Sequence, residues 1–423
     1  MLVQQKITLP NGTVLENRLV KAAMAEDLAA PNDPNEQHLK LYSQWSHGGW
    51  GMILTGNVQV SDVYKGAPAD ITTATPLADP SSWSKWASTI QANGTPAVVQ
   101  LCHPGRQSPP GSGNRSFFTK NIAPSPVKMN MGDSLMARAV TALLFGTPRE
   151  MTTGDIHQVI EAFAEGAKRA FEAGFQGVEL HAAHGYLLAQ FLSPLSNLRT
   201  DEFGGTAAKR AELLIRILRR IRDVTSPTFI LGVKSNSVDA SSGSLADVME
   251  QIKLTVDAGI DFLEISGGTY ENPTMMAEGA APAERAATHV PSRRTLERES
   301  FFLSFAQQVR SEFPKLILMV TGGFRTRLGM EAALASGGAD LVGIARPAAV
   351  VPDLPTSVIM NEKVTDEEAN LRLRPVRLGG WKGWLVDHSP VKSAGAGAQS
   401  IYYVGQLHRM GAGEKSVDSR LAA

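Results

Sequence analysis

The stretch from Phe175 to Leu192 reads FQGVELHAAHGYLLAQFL. Its first six residues are mostly apolar and predict a short buried strand, and its last six contain no residue that breaks a helix. Between these two segments lie His181, His184 and Tyr186. In a barrel of parallel strands, catalytic side chains occupy the position where a strand ends and the chain turns outward. The stretch therefore favours a barrel, with these three residues as candidate catalytic groups.

The chemistry of the three side chains is compatible with more than one kind of site. Two imidazoles can donate N–H bonds to one substrate oxygen, and a tyrosine can give up or take a proton. Two nearby histidines also suit zinc. However, metalloproteases place them at i and i+4 with a glutamate between, whereas the spacing here is i, i+3 with alanines between. A structural interpretation, with both rings hydrogen-bonded in a crowded turn, is a third alternative.

Composition and charge limit the classes of protein to which the chain can belong. Its 423 residues are 43% hydrophobic and 19% charged, as in ordinary soluble globular proteins, and an α/β barrel of this length is commonly one domain. Lys+Arg and Asp+Glu both total 41. The net charge of zero gives no reason to expect nucleic acid or an anionic membrane as a partner.

The cysteine count and the apolar runs bear on the compartment. Cys102 is the single cysteine, which excludes an internal disulfide framework and a thiolate-held iron–sulfur cluster. A reducing, cytoplasmic compartment is the simplest expectation. The first ten residues lack the apolar core of a secretory signal, and no run approaches the ~20 apolar residues of a membrane-spanning helix.

Strand-like apolar runs alternate with helical patterns through most of the chain. The predicted strands are 18–24, 51–55, 96–101, 175–181, 228–234, 260–266, 316–321 and 339–345. The predicted helices between them are 36–46, 81–92, 153–172, 207–224, 245–257, 294–312 and 327–336, with Thr153 as the N-cap of the third. Eight mostly apolar strands in βα alternation predict a (β/α)8 TIM barrel of the α/β class. A doubly wound sheet is less favoured, because no GxGxxG follows the first strand.

The barrel is expected to form a single domain over residues 1–423, with additions at both ends. Asn11-Gly12 between apolar runs indicates an N-terminal β-hairpin that caps the lower mouth of the barrel. Residues 350–423 are predicted to form a C-terminal extension that contains a final helix at 398–410.

Two long connections are predicted on the face that carries the histidines. Residues 104–151 follow the third strand, are rich in Pro, Gly and Ser, and are interpreted as a lid-like insertion. Residues 268–293 follow the sixth strand. Long loops inside compact domains are usually lids or binding segments, although a disordered insertion is an alternative for the middle of the first loop.

Residues that suit a phosphorylated cofactor follow several of the predicted strands. Barrel enzymes often bind phosphate with the loops after strands seven and eight, where Gly322, Gly323 and Arg346 lie. Glycines let the backbone approach the ligand closely, and arginine supplies a charge-assisted fork. Gln100 can read the edge of a heterocycle, and Lys234 can hold positive charge against an electron-accepting ring. A surface lysine is an equally good interpretation of Lys234 by itself.

Six motifs along the chain resemble the Old Yellow Enzyme family of FMN-dependent NAD(P)H oxidoreductases. They are NRLVKAAM (17–24), QLCHPGRQ (100–107), TPREMT (147–152), HAAHGYLLAQFLSPLSNLRTDEFGGT (181–206), GGFRT (322–326) and GIARP (343–347). They occur in the order of the family and cover roughly Ile7 to Pro347.

The resemblance implies a concrete chemistry. FMN is bound non-covalently, NADPH or NADH is the hydride donor, and the substrate is a small-molecule alkene conjugated to a carbonyl or nitro group. His181 and His184 bind the carbonyl oxygen of the substrate, and Tyr186 protonates its α-carbon. The residues that the resemblance assigns to the cofactor are Ala23, Met24, Ala25, Gly56, Gln100, Lys234, Gly323, Ala345 and Arg346.

The sequence departs from the family pattern at two of these positions. Ala25 stands where many members have Cys or Thr, so the potential of the flavin is expected to differ. Lys234 replaces the more usual Arg and offers one charge without the planar fork, so its contact is expected to be less rigid.

Other readings of the whole sequence stay open at this point. An FMN-dependent redox isomerase or dehydrogenase of a biosynthetic pathway would keep the cofactor and change the reaction. A metal-dependent barrel hydrolase would need further ligands near His181 and His184, and the strand ends supply no convincing set, so no metal is expected. A homo-oligomer is also an open expectation.

Overall fold

Eight parallel strands close into a barrel in the computed structural model, which describes residues 1–29, 32–74, 76, 79–116, 118–132, 134–237, 243–266, 305–371 and 394–416. The strands in chain order are β1 (Ile7–Thr8), β2 (Val14–Leu15), β3 (Leu19–Lys21), β4 (Met52–Gln59), β5 (Ile71–Thr72), β6 (Ala97–Cys102), β7 (Ile122–Ala123), β8 (Arg149–Glu150), β9 (Gly177–Ala182), β10 (Ile230–Asn236), β11 (Phe262–Ser266), β12 (Leu318–Thr321) and β13 (Leu341–Ile344). Strand β3 pairs with both β13 and β4, which closes the ring. The predicted (β/α)8 barrel is confirmed.

Alternate residues of the barrel strands point to opposite sides of the sheet. The apolar cluster inside the barrel contains Val20, Met52, Leu54, Val98, Ile230, Phe262, Met319 and Leu341. Leu9 and Leu15 of the N-terminal hairpin belong to the same cluster, so the hairpin caps this end of the barrel as predicted. Two or four residues further along their strands, the inward positions are polar and include Gln100, Lys234 and Glu264.

Helices surround the barrel. They are α1 (Glu36–Ser46), α2 (Ser82–Ile90), α3 (Leu135–Leu144), α4 (Thr153–Glu172), α5 (Leu187–Leu192), α6 (Ala207–Val224), α7 (Leu245–Asp257), α8 (Arg327–Ala335) and α9 (Ala394–Gly411), and residues 305–312 are also helical. The predicted N-cap of α4 was wrong by one residue. Thr152 is the cap, because its hydroxyl accepts from Asp155 N and the Asp155 carboxylate accepts from Thr152 N in a reciprocal capping box.

The insertion after β6 has structure of its own. Strand β7 pairs in parallel with β8, and α3 lies between them in the chain. Arg106, at the start of the insertion, donates to the carbonyl oxygens of Val127 (3.1 Å) and Lys128 (3.2 Å). The alternative of a disordered middle does not hold for Leu135–Leu144, which is helical, whereas the role of 104–151 as a lid stays a prediction. The predicted loop 268–293 lies outside the described residues.

The last helix packs back onto the barrel. Helix α9 is longer than the predicted 398–410 and contacts α1, where Gln44 Nε2 donates to the carbonyl oxygen of Met410 (3.0 Å). His408 Nε2 lies 2.9 Å from the carbonyl oxygen of Glu26, in the chain that follows β3. These contacts hold the C-terminal helix beside the strand ends. Of the helices in the described part of the chain, none has the length and apolarity that crossing a bilayer requires.

Candidate active site

A cavity of about 250 Å³ opens at the C-terminal ends of the barrel strands. Of the residues predicted from the sequence, its lining includes Ala23, Met24, Ala25, Gln100, His181, His184, Tyr186, Lys234, Gly323, Ala345 and Arg346. The barrel thus brings together the predicted site residues from both ends of the chain, with the exception of Gly56.

Gly56 is not among the residues that line the cavity. Its backbone N–H donates to Glu26 Oε1 (3.1 Å) and to the hydroxyl oxygen of Tyr42 (2.9 Å). A Cβ atom at this position would lie 2.5 Å from the carbonyl oxygen of Met24, which itself lines the cavity. The absence of a side chain at Gly56 gives space to the backbone of Met24, and a contact of Gly56 with the cofactor stays a prediction. The next residue, Asn57, reaches the cavity in its place.

The two histidine rings are hydrogen-bonded to each other. His181 Nε2 and His184 Nδ1 are 3.2 Å apart, and on the other side of its ring His184 Nε2 is 3.1 Å from Ser266 Oγ. The backbone of His184 is left-handed, with φ of 56°, and its N–H donates to Asn236 Oδ1 (3.0 Å). This conformation is uncommon outside glycine, and the hydrogen bond from β10 helps to hold it.

Burial keeps both imidazoles neutral at physiological pH. Loss of hydration lowers the pKa of His181 well below its usual range, and the neighbouring His184 and Lys234 lower it further. The pKa of His184 is lowered by burial and then by Lys234. A neutral imidazole has one N–H donor and one acceptor nitrogen. The pair can therefore donate hydrogen bonds to a ligand without carrying positive charge.

Tyr186 stands beside the first histidine. Its ring centroid is 4.7 Å from that of His181, and the two ring planes meet at 63°. The tyrosine is the N-cap residue of α5, and Gly185 before it has a positive φ of 75°. The side chain is buried but lines the cavity. A phenol in this position is within reach of a ligand that contacts His181.

A set of buried charged and polar side chains lies inside the barrel below the histidines. Lys234 Nζ is 2.7 Å from Glu264 Oε1, and Gln100 Nε2 donates to Glu179 Oε2 (2.5 Å). Burial, followed by the neighbouring Glu264, raises the pKa of Glu179 well above its usual range. The raised pKa favours the protonated form of Glu179, while Glu264 pairs with the lysine. Lys234 is buried, so the alternative interpretation of a surface lysine is wrong.

The two glutamates were missed in the sequence analysis, although a signal was present. Glu179 stands two residues before His181, and Glu264 stands two residues before Ser266. Residues two apart in a strand face the same side, so both glutamates share the inward face of the site. The strand register then brings Glu264 opposite Lys234.

The loops after β12 and β13 suit a phosphate. Gly322 and Gly323 have positive φ of 140° and 80°, and a Cβ atom on Gly343 would lie 1.9 Å from Thr321 Oγ1. Within the described residues, Thr321 Oγ1 is buried without a hydrogen-bond partner, and its residue lines the cavity. This hydroxyl, the unobstructed backbone of the glycines and the charge of Arg346 fit a phosphorylated ligand.

Helix α9 supplies a part of the wall that the sequence analysis missed. Its contributions to the lining are Ser400, Tyr403, Val404 and Leu407. The guanidinium carbon of Arg346 lies 5.9 Å from the centroid of the Tyr403 ring, which is within the range of a cation–π contact. The i, i+4 spacing of Tyr403 and Leu407 indicates a shared helix face, but only the fold shows that this face covers the barrel mouth.

The sequence model of the NADH:flavin oxidoreductase / NADH oxidase family matches residues 5–364. The chain belongs to this family. The resemblance to the Old Yellow Enzyme family is confirmed, and the chain is an oxidoreductase that uses FMN with NADH or NADPH. In the described ranges, no group of three or more His, Cys, Asp or Glu side chains is arranged to hold a metal ion.

Three curated relatives of this flavin oxidoreductase are 40% to 50% identical to it. A protein of Neonectria sp. named NADH-dependent flavin oxidoreductase iliE is 50% identical over 85% of this chain, which spans only 47% of that relative. The protein of the same name from Hypocrea jecorina is 43% identical, with 86% of this chain and 90% of the relative covered. NADH-dependent flavin oxidoreductase iccE of Talaromyces variabilis is 40% identical, with 96% and 97% covered.

Solved structures confirm the fold of this flavin oxidoreductase. Morphinone reductase in complex with tetrahydroNAD superimposes with a TM-score of 0.66 at 22% identity, over 84% of this chain and 89% of the other. A 2-naphthoyl-CoA reductase superimposes with a TM-score of 0.71 at 19% identity, over 98% of this chain and 70% of the other. At these identities the likeness concerns the barrel alone.

The cavity of this flavin oxidoreductase is lined by groups that fit FMN. The loops with Gly323 and Arg346 suit its phosphate, and Gln100 and Lys234 line the cavity with groups that can hydrogen-bond a heterocycle. Lys234 is fixed from below by its ion pair with Glu264. This ion pair orients the lysine that replaces the usual arginine, whereas a less rigid contact with the flavin stays a prediction.

Proposed function

We propose that this flavin oxidoreductase reduces the C=C bond of alkenes conjugated to a carbonyl or nitro group, with NADH as the electron source. The proposal rests mainly on one observation. Two neutral, buried imidazoles have nitrogens 3.2 Å apart at the cavity, with a tyrosine ring beside them. This arrangement can bind one oxygen atom and deliver a proton to a neighbouring carbon. The names of the relatives from Neonectria and Talaromyces variabilis support NADH as the donor.

Electron density moves onto the substrate oxygen when hydride reaches the β-carbon. FMN, when bound and reduced, supplies that hydride. His181 and His184 donate to the oxygen, and donors placed in advance in a buried site stabilise developing negative charge strongly. Because both pKa values are lowered, the rings act as neutral donors.

Protonation of the α-carbon completes the reduction. Tyr186 is buried next to His181, so its hydroxyl can reach the carbon adjacent to the carbonyl group that the histidines bind. The proton passes from the phenolic oxygen to carbon, and solvent later restores it. Run in the opposite direction, the same groups would support the dehydrogenase or isomerase alternative.

Anaerobic rapid mixing tests the proposed function one half-reaction at a time. We expect NADH to bleach the visible absorbance of the bound flavin, and 2-cyclohexen-1-one or 1-nitrocyclohexene to restore it with formation of the saturated product. Cyclohexanone is the matched control, because it lacks the alkene and should leave the flavin reduced. Flavin that NADH reduces but that neither alkene re-oxidises would contradict the proposal, and an isomerised product would favour the alternative.

A further inference from the structure

The hydrogen bonds around the histidine pair place one proton on each ring. Ala183 N–H donates to His181 Nδ1 (3.3 Å), so the proton of this neutral ring is on Nε2. That Nε2–H points to His184 Nδ1, which accepts at 3.2 Å. The proton of His184 is therefore on Nε2 and is donated to Ser266 Oγ at 3.1 Å. The result is a chain of donors that runs from β9 to β11.

This chain conflicts with the binding of a substrate oxygen by both rings. Two groups that donate to the same oxygen cannot also donate to each other, so His184 must carry its proton on Nδ1 when the substrate is bound. Its Nε2 then becomes an acceptor in a buried position. A buried acceptor without a donor is unfavourable, so the atom facing Nε2 decides whether this tautomer forms.

Ser266 faces that nitrogen, and a serine hydroxyl can both donate and accept. We propose that Ser266 is a positioning residue whose hydroxyl turns from acceptor to donor, and so allows His184 to present Nδ1–H to the substrate oxygen. The inference rests on the proposed function. One proton leaves Nε2 and one arrives at Nδ1, water carries both, and the ring remains neutral.

The backbone of Ser266 is held in place by its neighbours, so only its hydroxyl group is free to rotate. The residue is buried at the end of β11, where its carbonyl oxygen accepts from Ser237 N (2.8 Å). Its register partner on β10 is Asn236, which holds the backbone N–H of His184. Two neighbouring strands thus fix the serine and the imidazole relative to each other. Apart from the proton exchange on the ring, the change of tautomer requires rotation of one hydroxyl and no movement of the backbone.

Histidine tautomers are directly measurable by NMR. We would label the FMN-bound protein with ¹⁵N-histidine and record two-bond ¹⁵N–¹H correlations with and without cyclohexanone, a carbonyl probe that cannot be reduced at an alkene. Without the probe, both rings should be protonated on Nε2. With the probe, His184 should be protonated on Nδ1 in the native protein. Nε2 protonation of His184 in the complex would overturn the inference.

Variants of the serine supply the second arm of the test. In Ser266→Ala no hydroxyl faces Nε2 of His184, so the ¹⁵N resonance of Nε2 in the cyclohexanone complex should shift to that of an acceptor without a hydrogen bond. Re-oxidation of the dithionite-reduced enzyme by 2-cyclohexen-1-one should slow by roughly tenfold or more. Ser266→Thr keeps a hydroxyl and should restore both the NMR signal of His184 and the rate of re-oxidation. Ser235→Ala, on the neighbouring strand, is the matched control, because its hydroxyl donates to a backbone carbonyl and does not line the cavity.

The outcomes separate the two proposals. A tautomer change in the native protein without reduction of the alkene would support the role of Ser266 and contradict the proposed reaction. Reduction of the alkene at the native rate by Ser266→Ala would contradict the role of Ser266 and leave the reaction intact. Flavin content and thermal unfolding of each variant report whether the fold is preserved.

Discussion

Lys234 Nζ lies 2.7 Å from Glu264 Oε1 inside the barrel, and both side chains are buried. The two residues are register partners on β10 and β11, so the pairing of the strands places their charges in contact. The ammonium group that lines the cavity is therefore balanced by a carboxylate. A lysine with such a partner affects an electron-accepting ring less than an uncompensated cation would.

Glu264→Gln should raise the reduction potential of the bound FMN, because the charge of Lys234 would lose its partner and stabilise the reduced flavin. We expect a rise of roughly 30 mV or more, equivalent to about 1.4 kcal/mol for a two-electron couple. The free energy of unfolding should fall by about 3 kcal/mol, since a buried charge is left alone. Spectroelectrochemical titration and urea unfolding measure the two effects.

The matched control for this substitution is Asp257→Asn. It also changes a carboxylate to an amide, but in an exposed i, i+4 pair with Lys253 on α7. Neither the potential nor the stability should change measurably. A potential that is equal in Glu264→Gln and in the native protein would mean that Lys234 does not act on the flavin.

His181→Ala should slow the oxidative half-reaction far more than the reduction of the flavin by NADH, because the developing negative charge on the substrate oxygen loses a donor. Loss of one such donor typically costs about 10²- to 10³-fold in rate. Stopped-flow absorbance separates the two half-reactions. His157→Ala, at an exposed position of α4, controls for loss of an imidazole elsewhere. Equal losses in both half-reactions would refute the assignment.

Tyr186→Phe should impair protonation of the α-carbon, by about 10²- to 10⁴-fold for weakly activated alkenes. The rate with nitroalkenes should fall less, because the nitro-stabilised carbanion lives long enough to be protonated by water. Product formation from 1-nitrocyclohexene and 2-cyclohexen-1-one under single turnover compares the two. Tyr402→Phe, on α9 outside the cavity lining, is the control. If the rates of product formation from both alkenes fall by the same factor, the tyrosine is not the proton donor.

Arg346→Ala and Tyr403→Ala should each weaken the binding of FMN. The arginine is expected to bind the phosphate, and the tyrosine ring lies 5.9 Å from its guanidinium group, a contact worth about 0.5–2 kcal/mol. The double variant should lose less FMN-binding free energy than the two single variants lose in sum, because the two residues contact each other. Flavin fluorescence during dialysis measures retention. Ile401→Ala, at a position of α9 with 71% exposure, is the control, and native retention by Arg346→Ala would exclude the phosphate role.

Folding stability should decrease as the pH falls from about 6.5 to about 4, in part because of His38. Burial, and then His408, lowers the pKa of His38 from 6.5 to about 4. The unfolded chain therefore binds a proton over this range that the folded chain does not bind, which costs at most about 3 kcal/mol. Urea unfolding at a series of pH values measures the slope.

His38→Gln is the variant that isolates this effect. The imidazole accepts from the backbone N–H of Asn35 in a capping box, and glutamine can take the same place. The slope of the unfolding free energy against pH should decrease by the equivalent of one proton taken up on unfolding. Replacement of the exposed His157 by Gln should leave this slope unchanged. A slope identical in His38→Gln and the native protein would show that another buried group is responsible.

Helix bounds were predicted best where a local cap defines them. The predicted bounds of α1, α4, α6 and α7 agree with the structure at both ends. Asn35, Thr206 and Ser244 each accept from a backbone N–H in the first turn, an interaction between near neighbours in the chain. The bounds of barrel strands shifted by up to a few residues, because strand pairing with a neighbour decides where a strand ends.

The absence of Gly56 from the cavity lining has the same cause. The register between β4 and β6 shifts between Leu54 and Asn57, and the expected alternation of inward and outward residues fails there. Asn57 consequently reaches the cavity, and Gly56 contacts Glu26 instead. A bulge depends on the partner strand and leaves no clear mark in the single sequence.

The sequence by itself determined the alternation of strands and helices, the hairpin cap and the residue types at the strand ends. These depend on periodicity and on motifs whose members are close in the chain. Tertiary structure alone decided that Glu264 neutralises Lys234, that Ser266 faces His184 and that α9 covers the cavity beside Arg346. The physical reason is that each of these contacts joins residues far apart in the chain, whose distance depends on strand register and on the closure of the barrel.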